Sequence, residues 1–161
     1  RDPVEQLFRG VEMLREVVHR GIDPFGLGRM SIEEIPGWSV FAAAKAENNR
    51  QVAAAVKEAR WATTVHGRRM AYLETDFYGA PGALYEVGAE IVVVFSRHYG
   101  PNHIGKFTVA GNGIRVDAVL PDLNAREAGW GGPATGTIIG SPRQGSILNL
   151  EEVVDIVRRI L

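Results

Sequence analysis

The segment GWGGPATGTIIGSPR at positions 129–143 gathers the most suggestive chemistry in the chain. Glycines without a Cβ let an anionic group approach main-chain N–H donors, and Gly131, Gly132 and Gly136 offer that approach. Thr135, Thr137 and Ser141 add hydroxyls, and Arg143 adds a charge able to bind two oxygens at once. The combination suits phosphate. It suits equally a tight return from helix to strand, in which the glycines only permit turns. Its spacing matches neither GxxxxGK[ST] nor GxGxxG, so neither of those cradles is expected.

A second candidate is SRHYG at 96–100, directly after the apolar run IVVVF at 91–95. In α/β folds ligand groups gather beyond the carboxyl ends of the strands, so Arg97 and His98 would emerge where a phosphate can be clamped. The competing reading makes Arg97 half of a surface ion pair. Lys106 and Asn112, on a predicted neighbouring hairpin, would reach the same crevice, although Asn112 is explained equally by its turn. Trp130 either stacks a base or plugs the core.

Hydrolysis assisted by metal ions needs carboxylates and histidines that converge on the ions. The four histidines, His19, His66, His98 and His103, fall in no HxxxH, DHH or HxD pattern, and Asp76 and Asp117 stand alone. No GxSxG turn surrounds Ser96. These residues read as polar surface groups, so neither a metal ligand set nor a catalytic residue is expected within the chain.

The remaining composition narrows the classes. The 161 residues carry 18 Lys plus Arg against 19 Asp plus Glu, and a net charge of −1 supplies no global field for a long nucleic-acid duplex. The absence of cysteine excludes disulfides, thiolate metal sites and a thiol nucleophile, and cytoplasm is the expected compartment. The apolar run at 91–95 is far shorter than the roughly 20 residues that span a bilayer, so no membrane partner is expected. The chain opens on Arg1 and enters an amphipathic pattern almost at once, which reads as a piece of a longer polypeptide.

The elements that must position these groups follow from periodicity. Leu7, Val11, Leu14 and Val18 predict a helix over 4–20, and the Pro- and Gly-punctuated stretch 22–37 reads as a linker. Together, 1–37 form a helical interdomain segment ahead of an α/β domain over 38–161. Residues 38–63 read as helix, with Asn48 and Asn49 as a place where it can break. Strands are expected at 70–74, 90–97 and 104–110, with a short helix at 83–87. Gly111, Asn112 and Gly113 would turn the third strand into a hairpin partner at 114–116. Residues 116–127 read as helix with Pro121 in its first turn, 135–140 as the last strand, and 150–161 as a helix capped by Asn149. The predicted class is α/β, a mixed sheet of about five strands with flanking helices, preceded by a helical segment.

From about 67 to 139 this succession resembles the C-terminal, DHH-associated domain of the DHH phosphoesterase superfamily. The resemblance rests on GAEIVVVFSRHYG (88–100), the strand pair GKFTVAGNGIRVD (105–117), the helix AVLPDLNARE (118–127) and the loop GWGGPATGTII (129–139). It implies that an upstream DHH domain carries the ligands for manganese or magnesium, while this domain holds substrate across a cleft. The family loop usually reads GGGHxxAAG, with a His that meets substrate phosphate, and an Arg commonly stands on the hairpin strand. In this chain the loop has no His, and Ala110 takes the place of the Arg. Arg97, His98 and Arg143 are the candidates to replace those donors. The implied function is recognition of a nucleotide, a short single-stranded oligonucleotide or another small phosphorylated compound, by a domain inactive alone and needing no cofactor of its own. The alternatives are a non-catalytic nucleotide- or anion-sensing module, and an assembly domain that forms a homodimer or docks a neighbour.

Overall fold

The computed structural model describes residues 38 to 161; the predicted helix over 4–20 and the linker over 22–37 lie outside them. The chain divides into two compact units, Arg1–Gln51 and Val52–Leu161, and every candidate site residue belongs to the second.

Helix α1, Trp38–Lys57, crosses that boundary without a break at Asn48 and Asn49. It ends earlier than its Ala-rich composition predicts. Residues Arg60–Thr63, expected as the end of the helix, form strand β1, antiparallel to β2 at Arg69–Glu74. Pairing overrides propensity at this point: Arg60 and Arg69 lie over the rings of Tyr72 and Trp61, cross-strand contacts that a helix could not make. Helix α2, Ala80–Glu86, then returns the chain to β3, Ile91–Tyr99, which runs parallel to β2. Strand β4, Ile104–Gly111, pairs antiparallel with β3 on one side and with β5, Ile138–Gly140, on the other. The result is a five-stranded mixed sheet in the order β1-β2-β3-β4-β5.

The predicted hairpin partner at 114–116 is not a strand. The Ile114 carbonyl folds directly over Gly111, into space where a Cβ would collide with it, so the chain turns back too sharply to pair with β4. The edge of β4 is taken by β5, and Val116 donates its N–H to Gly136 O at 2.7 Å. The helix expected over 116–127 begins as a 3₁₀ turn, Asp117–Val119, and becomes α3 at Leu120–Arg126 with Pro121 in its first turn. The last strand is half its predicted length, because 135–137 belong to the turn that carries Gly136. Helix α4, Leu150–Ile160, starts with the expected Asn149 cap, completed into a reciprocal box by Glu152.

Side chains alternate across β3, and each face has its own core. Ile91, Val93 and Phe95 join Phe107, Val109, Val153 and Val157 under α4 and α3. Val92 and Val94 join Ala71, Leu73 and Leu84, against α2 and the end of α1. Among the described residues, the second cover stops short of the β5 edge, where Ile138 is 43% exposed. No helix among the described residues is long and apolar enough to cross a membrane.

Candidate functional site

The exit of β3 separates residues that looked like one cluster in the sequence. Phe95 belongs to the α4 side, so Arg97 follows it there: its guanidinium lies 5.6 Å above the Phe95 ring and binds both carboxylate oxygens of Glu74, at 2.7 and 3.0 Å. The ion-pair reading of Arg97 is the one the structure contains. Ser96 stands on the opposite side and donates to Asp76 Oδ1 at 2.8 Å. The same oxygen accepts the His98 N–H at 2.9 Å, and Asp76 Oδ2 meets His98 Nδ1 at 3.0 Å. Asp76 therefore does not stand alone. Partial burial pushes its carboxyl up, but the bonds from His98 and Ser96 outweigh burial and hold it below the usual aspartate range.

Lys106 pairs in register with Ser96 and so starts on the same face of the sheet. Its stem turns toward the β5 edge, where Nζ donates to Ser141 O at 2.8 Å and lies 3.0 Å from where a Cβ on Gly140 would stand. Ser141 itself is buried, and its hydroxyl accepts the Phe107 N–H at 2.8 Å. That bond ties the loop after β5 to the core. Burial lowers the proton affinity of Lys106 below that of an ordinary lysine, and the nearby Arg143 charge lowers it further. Among the described residues, neither Lys106 nor Arg143 forms an ion pair with a carboxylate. Two like charges thus share one edge without a carboxylate counterion among the described residues.

The glycine loop is held by β5 and by the turn before the 3₁₀ segment. Gly131 and Gly140 exchange both backbone hydrogen bonds, at 3.1 and 2.8 Å, and Gly136 donates to Pro133 O at 3.0 Å. The N–H groups of Gly131 and Gly136 are therefore already used. Gly132 is required by packing, since a Cβ there would fall on the Ile138 carbonyl oxygen. Gly136 adopts φ 69 with the Arg115–Asp117 ion pair against it, whereas Gly131 has open space beside it. Thr135 is exposed in the same turn. Trp130 is 5% exposed, packs against Phe107 and donates its indole N–H to Glu127, so it is a core plug and no stacking platform.

Asn112 does not join this edge. Register pairs Ile91 with Gly111 but Ser96 with Lys106, so Asn112 lies at the other end of β4, roughly 20 Å away at strand rise. Its N–H is bonded to Glu90 O at 2.9 Å. The expected donors thus separate into an edge group of Lys106, Ser141 and Arg143 beside Gly131 and Gly140, an exit group of His98 with Asp76 and Ser96, a paired Arg97 and a remote Asn112. The contribution of Asp76 was hidden because its partners stand 20 and 22 positions away, and only the parallel pairing of β2 with β3 unites them.

Among the described residues, no three His, Asp or Glu side chains converge to hold a metal ion. The arrangement offers charge and hydrogen-bond donors to an anion. No protein-family model matches the chain, and no curated protein matches it in sequence.

Proposed function

We propose that this domain recognises a small phosphorylated substrate at the β4–β5 edge, as the substrate-binding part of a DHH-type phosphoesterase. The observation that carries the reading is the Lys106–Arg143 pair, two cations on an open edge with no carboxylate partner among the described residues. A phosphate seated between them relieves their repulsion and pairs the Lys106 ammonium, which burial has partly stripped of water. The DHH-type reading rests on the sequence resemblance around the glycine loop, GWGGPATGTII. The described residues do not fit two metal ions, so manganese or magnesium and the attacking water belong, on this reading, to a catalytic domain outside them. A nucleotide or short oligonucleotide is the substrate class, with the strip at Ile138 and Gly131 available to its apolar parts.

Calorimetric titration of the 161-residue chain with pyrophosphate, mononucleotides and pApA tests the proposal. Binding should weaken with salt, and Lys106→Gln and Arg143→Gln should each reduce affinity about tenfold or more, as expected for charged hydrogen bonds of roughly 1.5–3 kcal/mol. Arg115→Gln, whose native charge is already matched by Asp117, should bind like the wild type. Equal affinity in all three variants, or no binding by the folded wild type, rejects the site.

A further inference from the structure

The exit group of β3 has a second feature that the phosphate reading does not use. The ring of His98 lies edge-on to that of His103, with centroids 6.2 Å apart and planes at 69°. His98 is oriented from behind, because its Nδ1 is engaged by Asp76 Oδ2. Asp76 is itself fixed by Ser96 and by the His98 backbone. This leaves Nε2 as the outward atom of His98. His103 is set by the turn that joins β3 to β4: its N–H bonds to Gly100 O, and its φ of 49 makes it the one residue other than glycine with positive φ among those described. A left-handed histidine is uncommon, and in this turn it brings the second ring to the first. No hydrogen bond engages His98 Nε2 or either ring nitrogen of His103 among the described residues.

We propose that His98 and His103 form a two-imidazole site for a divalent transition-metal ion, with Asp76 as the residue that positions His98. An ion about 2.0–2.1 Å from one nitrogen of each ring would hold the two centroids roughly 4.5 to 5.5 Å apart, so the rings, now at 6.2 Å, close by about 1 Å on binding. A carboxylate on the far nitrogen is the usual support of a metal-bound histidine, fixing its tautomer and raising its basicity. Two imidazole nitrogens, with no third His, Asp or Glu converging on them among the described residues, favour copper, nickel or zinc over magnesium, manganese or calcium. The remaining positions on the ion go to water. The chemistry differs from that of the manganese or magnesium of a separate catalytic domain, and the site uses neither Lys106 nor Arg143.

Titration of the tag-free 161-residue chain with copper, nickel, zinc, magnesium and manganese chlorides, followed by calorimetry, tests the site. One equivalent of copper, nickel or zinc should bind, copper most tightly, and magnesium and manganese should not. His98→Gln and His103→Asn should each abolish binding; Asn tolerates the left-handed turn, so the backbone is kept. Asp76→Asn should keep the stoichiometry and weaken affinity about 10–100-fold, the effect of losing a partner behind a ligand. His66→Gln, a control outside the cluster, should change nothing. Paramagnetic broadening by nickel should centre on the signals of His98 and His103. No binding of copper, nickel or zinc, binding that survives in the His98→Gln, His103→Asn double variant, or broadening centred on His66 overturns the proposal.

Discussion

Lys106 states the character of the candidate site in one side chain. A lysine whose proton affinity is lowered by burial and by Arg143 carries its charge at a cost to the folded state. That cost is present in full while Lys106 is protonated in both the folded and unfolded states, and it is relieved as pH rises from the folded pKa toward the ordinary lysine value. Lys106→Met loses the bond to Ser141 O at every pH, but its stability relative to the wild type is highest at neutral pH and should fall as the pH approaches 10.5. Denaturant unfolding of the two proteins at pH 7 and at higher pH reads the difference. A relative stability that rises with pH would contradict burial and the Arg143 charge as its cause. A bound anion acts in the opposite direction, so it should raise the proton affinity of Lys106 toward that of an ordinary lysine.

At the scale of elements, the glycine loop is tied to β5 by the Gly131–Gly140 hydrogen bonds, and its glycines are unequal. Gly132→Ala would drive a methyl group onto the Ile138 carbonyl and should destabilise by about 1–3 kcal/mol, the range for overpacking, while Gly131→Ala should fall within about 0.5 kcal/mol of the wild type. Thermal or denaturant unfolding of the two variants separates them; equal losses would mean that packing does not explain Gly132. Much of this element structure is legible in the sequence. The IVVVF run announces a strand buried on both faces, and Asn149 followed by Glu151 and Glu152 announces a capped helix. Two elements are misread for one reason, namely that strand pairing is decided at long range. Residues 60–63 carry a composition that local propensity reads as helix, yet β2 recruits them. Residues 114–116 follow a strong turn signal, yet the fold over Gly111 denies them the partner. The site is legible in its residue types but not in its grouping, since alternation along β3 sends Arg97 to one side and Ser96 to the other, and the length of β4 removes Asn112 altogether.

For the unit 52–161 as a whole, the sheet is the shared wall of two cores. Phe107 fills one and Leu84 the other, both fully buried. Phe107→Ala should cost about 3–5 kcal/mol and Leu84→Ala about 2–5 kcal/mol. Because β3 contributes alternate residues to both cores, each variant should accelerate amide exchange along the whole of β3 and not merely beside its own cavity. Exchange that rises on one side only, with the other core protected as before, would show that the two cores open independently. The edge site and the exit site are both attached to this wall, Lys106 by β4 and Asp76 by the end of β2, so loss of either core should loosen both.

The alternation that divides the end of β3 has one more consequence. Arg97 finds Glu74, and Ser96 and His98 find Asp76, only while Val93 and Phe95 face α4 and Val92 and Val94 face α2. A slip of one residue would exchange these partners in the same move that turned the core inside out. The polar residues at the tip are thus a proofreading mark for the hydrophobic ones beneath them: a chain that docked β3 out of step would present unmatched charges at its exit, and that mismatch would count against the wrong alignment before any ligand arrived.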